Sequence, residues 1–305
     1  IDRGKTGKLR VSIDRLGGFN DAVELQFENL PKGVSVTKAT IPAKKRFVDV
    51  QFKVDEKAPI RSSIAKIRAG DKTLSFRWTT CMPTPFKIAV TYQVRLVPRG
   101  TVFLRKYRIE RNGFKGPLTI RLSDRQIRHL QGVTGPTLTL RPDQNEFDYP
   151  LHLPTWMELG RTCRVVVTAV GVVKDEEGHE HVVNFSSQAV NEQIILVAEP
   201  GPLSIDCDRK SIAISPQSTI RIPVRIKRGS TLRGPAKLTL ITPSHLQGII
   251  ATPVTLQADR QNGAFTLRVA KSVKGPLNMP IVIRATVLRN GRPVIAETKL
   301  DLVQK

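Results

Sequence analysis

Polar and apolar residues alternate along most of this chain with a period of two, the spacing of strands that bury one face. The alternation is cleanest in Lys8–Asp14, Arg46–Val54, Thr219–Lys227, Phe265–Val269 and Ile281–Val287. These runs are rich in Val, Ile and Thr, which suit a pleated surface. The 21 Gly and 21 Pro fall mostly between them, where turns need them. The longest apolar runs, such as Ile194–Ala198, have strand length, and no run reaches the ~18 residues of a membrane-spanning helix. The best helical segment, Asp124–Leu130, is two turns at most. The pattern predicts an all-β protein.

The runs also repeat. Gly18-Phe19-Asn20-Asp21-Ala22-Val23-Glu24-Leu25 returns as Gly113-Phe114-Lys115-Gly116-Pro117-Leu118-Thr119-Ile120 and, more altered, as Thr231-Leu232-Arg233-Gly234-Pro235-Ala236-Lys237-Leu238. The copies lie 95 and 118 residues apart, the size of a small β-domain rather than of a solenoid repeat. Around each copy the order is the same: an alternating strand, the turn, a Gly-aliphatic element (Gly33-Val34, Gly132-Val133, Gly248-Ile249), a second alternating strand, and a bend into a last strand. Glycine at the turn is explained if the backbone takes positive φ there. The Phe or Leu beside it is expected to plug one end of a core. Three consecutive β-sandwich domains follow, at residues 1–80, 81–200 and 201–305. Cys81-Met82-Pro83-Thr84-Pro85 and Glu199-Pro200-Gly201-Pro202 form short linkers whose prolines interrupt strand pairing. Such linkers predict a semi-rigid rod.

An arginine, a Gly-Phe turn, an aliphatic run, Leu-Pro-x-Gly-Val and a late Ala-Pro run from Arg15 to Ile67, recur in part from Arg111 to Val170 and fade after Arg228. This pattern resembles the tandem immunoglobulin-like modules of bacterial secreted and envelope proteins. Module two lacks the Leu-Pro pair, and module three has Thr231 in place of the turn glycine. The resemblance implies a β-sandwich, an extracytoplasmic location (periplasm, cell surface or medium) and a scaffolding or binding role. It carries over no catalytic residues. No Cys…Trp…Cys spacing points to an antibody-type domain.

Charge narrows the choice of partner. Residues 1–80 hold 17 Lys and Arg against 9 Asp and Glu, residues 81–200 hold 15 against 12, and residues 201–305 hold 17 against 5. The field favours anionic partners. The candidate contacts are the basic clusters Lys44-Lys45-Arg46, Arg105-Lys106-Tyr107-Arg108 (its three cations) and Arg225-Ile226-Lys227-Arg228 (likewise). The same clusters could equally keep strand edges soluble and unpaired. Sequence-specific nucleic-acid binding is disfavoured, because aromatics are 5% of the chain and only Tyr107 lies within a basic cluster. Trp78, in phase with Leu74 and Phe76, is a core residue by pattern; Trp156 follows Pro154 at a bend, and its role is open. Cys81, Cys163 and Cys207 are too few for a disulfide framework, although a bridge between Cys81 and Cys207 is open. No secretory leader is visible, and the start at Ile1 rather than Met suggests processing or a fragment of a longer chain.

One segment carries metal-ligand chemistry. Lys174-Asp175-Glu176-Glu177-Gly178-His179-Glu180-His181 reads as a hairpin tip. His179 and His181, two apart, share a face if extended, and Glu177 lies beside them. They form a weak metal candidate without an identifiable ligand from elsewhere. The other readings are a solvated turn or a docking point for a basic neighbour. No catalytic motif is present, and the histidines His129, His152, His179, His181 and His245 propose no triad. The expected function is therefore non-enzymatic, with no cofactor: a rod of modules in an envelope or secreted assembly, binding other chains or copies of itself and docking its basic surfaces on acidic partners. The alternative is a module of a larger secreted enzyme or adhesin that binds an acidic polysaccharide.

Overall fold

The structure is a computed structural model and describes residues 1–123, 132–190 and 194–304. The helical segment Asp124–Leu130, with His129, lies outside the described residues. No α-helix occurs among the described residues, and no helix is long and apolar enough to cross a membrane. The strands fall into three consecutive sets.

The first set comprises β1 (Thr6–Ser12), β2 (Val23–Glu28), β3 (Val34–Val36), β4 (Ala39–Ile41), β5 (Phe47–Val54), β6 (Ser62–Ala69) and β7 (Lys72–Thr79). They form sheets of order β1-β5-β3 and β4-β2-β6-β7. In β5, Val50, Phe52 and Val54 are buried while Asp49, Gln51 and Lys53 are exposed, so the period-two pattern has become two faces. Phe52 is fully buried between Phe27, edge-on at 5.3 Å, and Trp78 at 4.9 Å. Burying one such ring contributes ~1.5–3 kcal/mol. Trp78 takes the core position that its phase predicts, and its indole N–H donates to Thr80 Oγ1.

The second set is β8 (Lys87–Ala89), β9 (Gln93–Pro98), β10 (Val102–Glu110), β11 (Leu118–Leu122), β12 (Leu138–Leu140), β13 (Glu146–His152), β14 (Thr162–Val165), β15 (Val167–Lys174), β16 (Glu180–Ser186) and β17 (Ile194–Glu199). Its sheets run β13-β10-β8, β12-β11-β15-β16 and β14-β17-β9. A strand that is continuous in the first set is broken here at Val166. The side chain of Ser187, in the short 3-10 turn Ser187–Val190, accepts the N–H of Val167 beside the break.

The third set is β18 (Leu203–Cys207), β19 (Ser211–Ile214), β20 (Thr219–Arg228), β21 (Ala236–Ile241), β22 (Gln247–Ala251), β23 (Val254–Leu256), β24 (Asn262–Lys274), β25 (Ile281–Arg289) and β26 (Arg292–Gln304). Its sheets are β18-β20-β24-β22 and β19-β26-β25-β21-β23, with β19 parallel to β26. Its core gathers Ile222, Val224, Ile226, Phe265, Leu267, Ile283 and Ala285. Pro223 is tolerated inside β20 because the ladder to β18 stops one residue earlier, at Cys207–Val224.

The last seven strands of the third set reproduce the first set one for one: β20-β24-β22 answers β1-β5-β3, and β23-β21-β25-β26 answers β4-β2-β6-β7. The second set keeps this order with two of its strands divided, with the isolated bridge Thr134–His152 where β3 and β22 lie in the other sets, and with β9 parallel to β17 as β19 is to β26. An opening strand shared between both sheets, one half of it parallel to the last strand, is immunoglobulin-like topology. Each set also holds a strand after the one that closes the sequence repeat: β7 after β6, β16 and β17 after β14 and β15, and β26 after β25.

By compactness the chain divides into two units. One comprises Ile1–Pro85, Asn112–Gly116 and Val170–Asn184; the other comprises Phe86–Arg111, Pro117–Ala169 and Phe185–Lys305. All three cysteines are free thiols. Cys163 and Cys207 are buried, and desolvation pushes both thiols up to about 11, whereas Cys81 is exposed.

Candidate functional site

Three arginines at matching points of the repeat have one structural task. Arg15 donates to the carbonyls of Asp21, Pro42 and Lys45 at 2.7–2.9 Å. Arg111 donates to the Asn145 side chain and to the carbonyls of Arg141 and Gln144. Arg228 donates to the carbonyls of Leu256, Gln257 and Arg260. In each set the arginine follows or ends the first long strand and grips the loop before the second one. The repeated glycines are equally structural: Gly33, Gly132 and Gly248 have φ of 79°, 83° and 84°, which side chains disfavour. The turn glycines Gly18 and Gly113 also take positive φ, 79° and 86°, but the residue that follows the turn position behaves unevenly. Leu232 is buried in its core as expected, but Phe19 is 47% exposed, with the Arg15 guanidinium 5.5 Å above its ring, so it plugs no core.

These geometries sort the basic clusters. Lys44, Lys45 and Arg46 occupy a turn in which Lys44 takes a φ of 63° and the Lys45 carbonyl is held by Arg15. Arg105 is only 7% exposed; it donates to the Gln93 side chain and to the Thr91 carbonyl, and burial lowers its pKa. It falls on the inward side of β10, in phase with the buried Tyr107 and Ile109, so it offers no charge to a partner. Arg228 likewise commits both of its terminal nitrogens to the loop carbonyls. Lys106 and Arg108 are exposed on β10 but face carboxylates: Lys106 pairs with Glu146 at 3.7 Å, Arg108 with Glu110 at 3.2 Å, and Lys87 of β8 also binds Glu110.

In the third set exposed cations stand together on the face of a sheet without such partners. Arg221, Arg225 and Lys227 point outward from β20, alternating with buried Ile222, Val224 and Ile226. Arg268 is exposed on the adjacent β24, where Thr266 and Asn262 sit across from Arg221 and Arg225. Across from Arg225 on the other side is Asp206, which binds Lys210 at 3.0 Å and whose pKa is lowered first by that bond. None of the four forms a salt bridge with a described carboxylate, although the charge of Arg225 adds to the lowering of Asp206. At ~3.4 Å per residue, Arg221 to Lys227 spans about 20 Å along the strand. Arg221 and Arg268 extend the site beyond the clusters visible in the sequence, because cross-strand register, not adjacency in the chain, assembles it.

The acidic segment forms the predicted hairpin turn between β15 and β16. Asp175 is its hub, although sequence reading passed over it. Its Oδ1 accepts the N–H groups of Glu177 and His179 at 3.0 and 2.8 Å, and its Oδ2 lies 2.8 Å from His181 Nε2. The bond to His181, followed by the backbone donors, lowers the Asp175 carboxyl to about 2. His179 Nδ1 is 3.4 Å from Asp175 Oδ2 and 3.5 Å from Glu177 Oε2. Glu176 points away and receives two bonds from the Arg3 guanidinium at 2.8 and 3.1 Å, so a basic residue of the first set does meet this turn. Trp156 is 61% exposed.

No family model and no curated protein matches the chain. Among solved structures it is similar to an I-band fragment of titin, I67-I69 (6% identity, 100% of this chain and 94% of that one, TM-score 0.23). It is also similar to the D00-D0 domain of intimin (13% identity, 72% and 99%, TM-score 0.22) and to an endo-fucoidan hydrolase of glycoside hydrolase family 107 (8% identity, 99% and 42%, TM-score 0.23). At such TM-scores these likenesses carry no functional argument, and the immunoglobulin-like assignment rests on the strand order.

Proposed function

We propose that this chain is a non-enzymatic interaction protein of three immunoglobulin-like modules, 1–80, 81–200 and 201–305, whose third module docks an extended anionic polymer on the outer face of β18-β20-β24-β22. The observation that carries this reading is the row Arg221, Arg225 and Lys227 with Arg268, exposed and unpaired on a face with one engaged carboxylate. A row of cations along a strand suits a linear acidic polysaccharide, whose charges recur along its length. The threefold strand order supports the module boundaries. An extracytoplasmic setting, as in secreted and envelope modules of this kind, is part of the proposal and would place the face against acidic wall or matrix polymers.

The test is binding to heparin and to polygalacturonate as salt rises. The parent should bind and release steeply with salt. Arg221→Gln/Arg225→Gln/Lys227→Gln should lose most of the affinity, while Lys106→Gln/Arg108→Gln should keep it. Equal loss in both variants would reduce the effect to net charge and defeat a localised face.

A further inference from the structure

The hairpin turn has a second feature that the docking proposal does not use. His179 Nδ1 stands 3.4 and 3.5 Å from a carboxylate oxygen of Asp175 and of Glu177, and the three ligand atoms lie within 4.8 Å of one another. Those two spacings exceed the ~2.7–3.2 Å of an N–H···O bond. They match two edges of a tetrahedron around an ion, since metal–ligand bonds of ~2.0–2.2 Å place neighbouring ligand atoms about 3.3–3.6 Å apart. The donors also converge on a rigid frame. Asp175 N–H donates to the His179 carbonyl, Gly178 N–H donates to the Asp175 carbonyl with Gly178 at φ 86°, and Asp175 Oδ1 holds two backbone N–H groups. The Asp175 side chain is 7% exposed, and its other oxygen is aimed by His181, the kind of outer partner that orients a ligand.

We infer that Asp175, Glu177 and His179 form a binding site for one divalent transition-metal ion of the zinc type, with His181 as the positioning residue for Asp175. Imidazole nitrogen with two carboxylates favours zinc, nickel or copper over calcium or magnesium, which take all-oxygen shells. The fourth position is left to water. In this site His181 supports Asp175 rather than ligating, and Asp175 is a ligand beside Glu177 and His179. Both ends of the turn would be tied through the ion, next to the Glu176 carboxylate that binds Arg3.

The test is calorimetric titration of the full chain with zinc chloride and, separately, with calcium chloride. The parent should take up one equivalent of zinc and bind calcium at least 100-fold more weakly. His179→Ala and Glu177→Gln should each weaken zinc binding tenfold or more, and His181→Ala should weaken it roughly tenfold with the same stoichiometry. His245→Ala, an exposed histidine elsewhere, should leave binding unchanged. Thermal melts of the metal-free variants should coincide with the parent's. Parent-like zinc affinity in His179→Ala or Glu177→Gln, absence of a one-equivalent zinc isotherm in the parent, or equal affinity for calcium would each overturn the site.

Discussion

The outer faces of β13-β10-β8 and of β18-β20-β24 are built on the same strand order yet carry opposite electrostatic designs. On the first, every exposed cation of β8 and β10 meets a carboxylate: Lys87 and Arg108 share Glu110, and Lys106 meets Glu146. On the second, the strand equivalent to β13 presents Asn262, Thr266 and Arg268, and the cations of β20 stay unpaired. Exposed pairs are worth little to stability, so both designs fold equally well. On the proposed function, the difference serves solubility in one copy and recognition in the other. The inner faces, by contrast, have no such freedom: Phe147, Tyr149 and Leu151 on β13 and Phe265, Leu267 and Val269 on β24 are all buried.

The comparison can be tested at both faces. The largest effect belongs to the shared inner side. Phe147→Ala and Phe265→Ala should each cost about 3–5 kcal/mol in denaturant unfolding, since each removes a buried ring and leaves a cavity; a cost below ~1 kcal/mol in one of them would break the equivalence of the two cores. Next comes the salt response. If the four cations of the third face act together, raising salt from about 50 to 200 mM should weaken heparin-like binding on the order of 100-fold. A flat response would place the contact elsewhere. A smaller change follows from grafting: Asn262→Glu with Thr266→Glu copies the acidic pattern of the second set and should lower affinity about tenfold without removing one cation. The reciprocal change, Glu146→Gln with Asp148→Asn, should confer weak salt-sensitive binding on the second face while leaving the unfolding midpoint unmoved. A large loss of stability there would mean that those exposed pairs hold the sheet together.

Much of this architecture could be read in the alternation, because burial acts residue by residue along a strand. β5, β20 and β25 appear within two residues of where the pattern places them. Arg105 was legible too: it shares phase with Tyr107 and Ile109, and phase outranks membership of a basic run. Arg228 could have been recognised from its repeat-mates Arg15 and Arg111, whose common task is a loop and not a ligand. Other features depend on register between distant segments and leave no local trace. The unpaired row needs Asn262 to fall opposite Arg225, and the hairpin site needs Asp175 to fold back against His179 and His181.

The three arginine clamps have a consequence for a protein that meets changing surroundings. Their guanidinium groups bind mostly neutral peptide oxygens, which neither titrate in the acid range nor attract competing counterions as carboxylates do. On the proposed function, brine should therefore release the polymer from the outside of the third copy while the loops of all three copies keep their shape, making release reversible without unfolding.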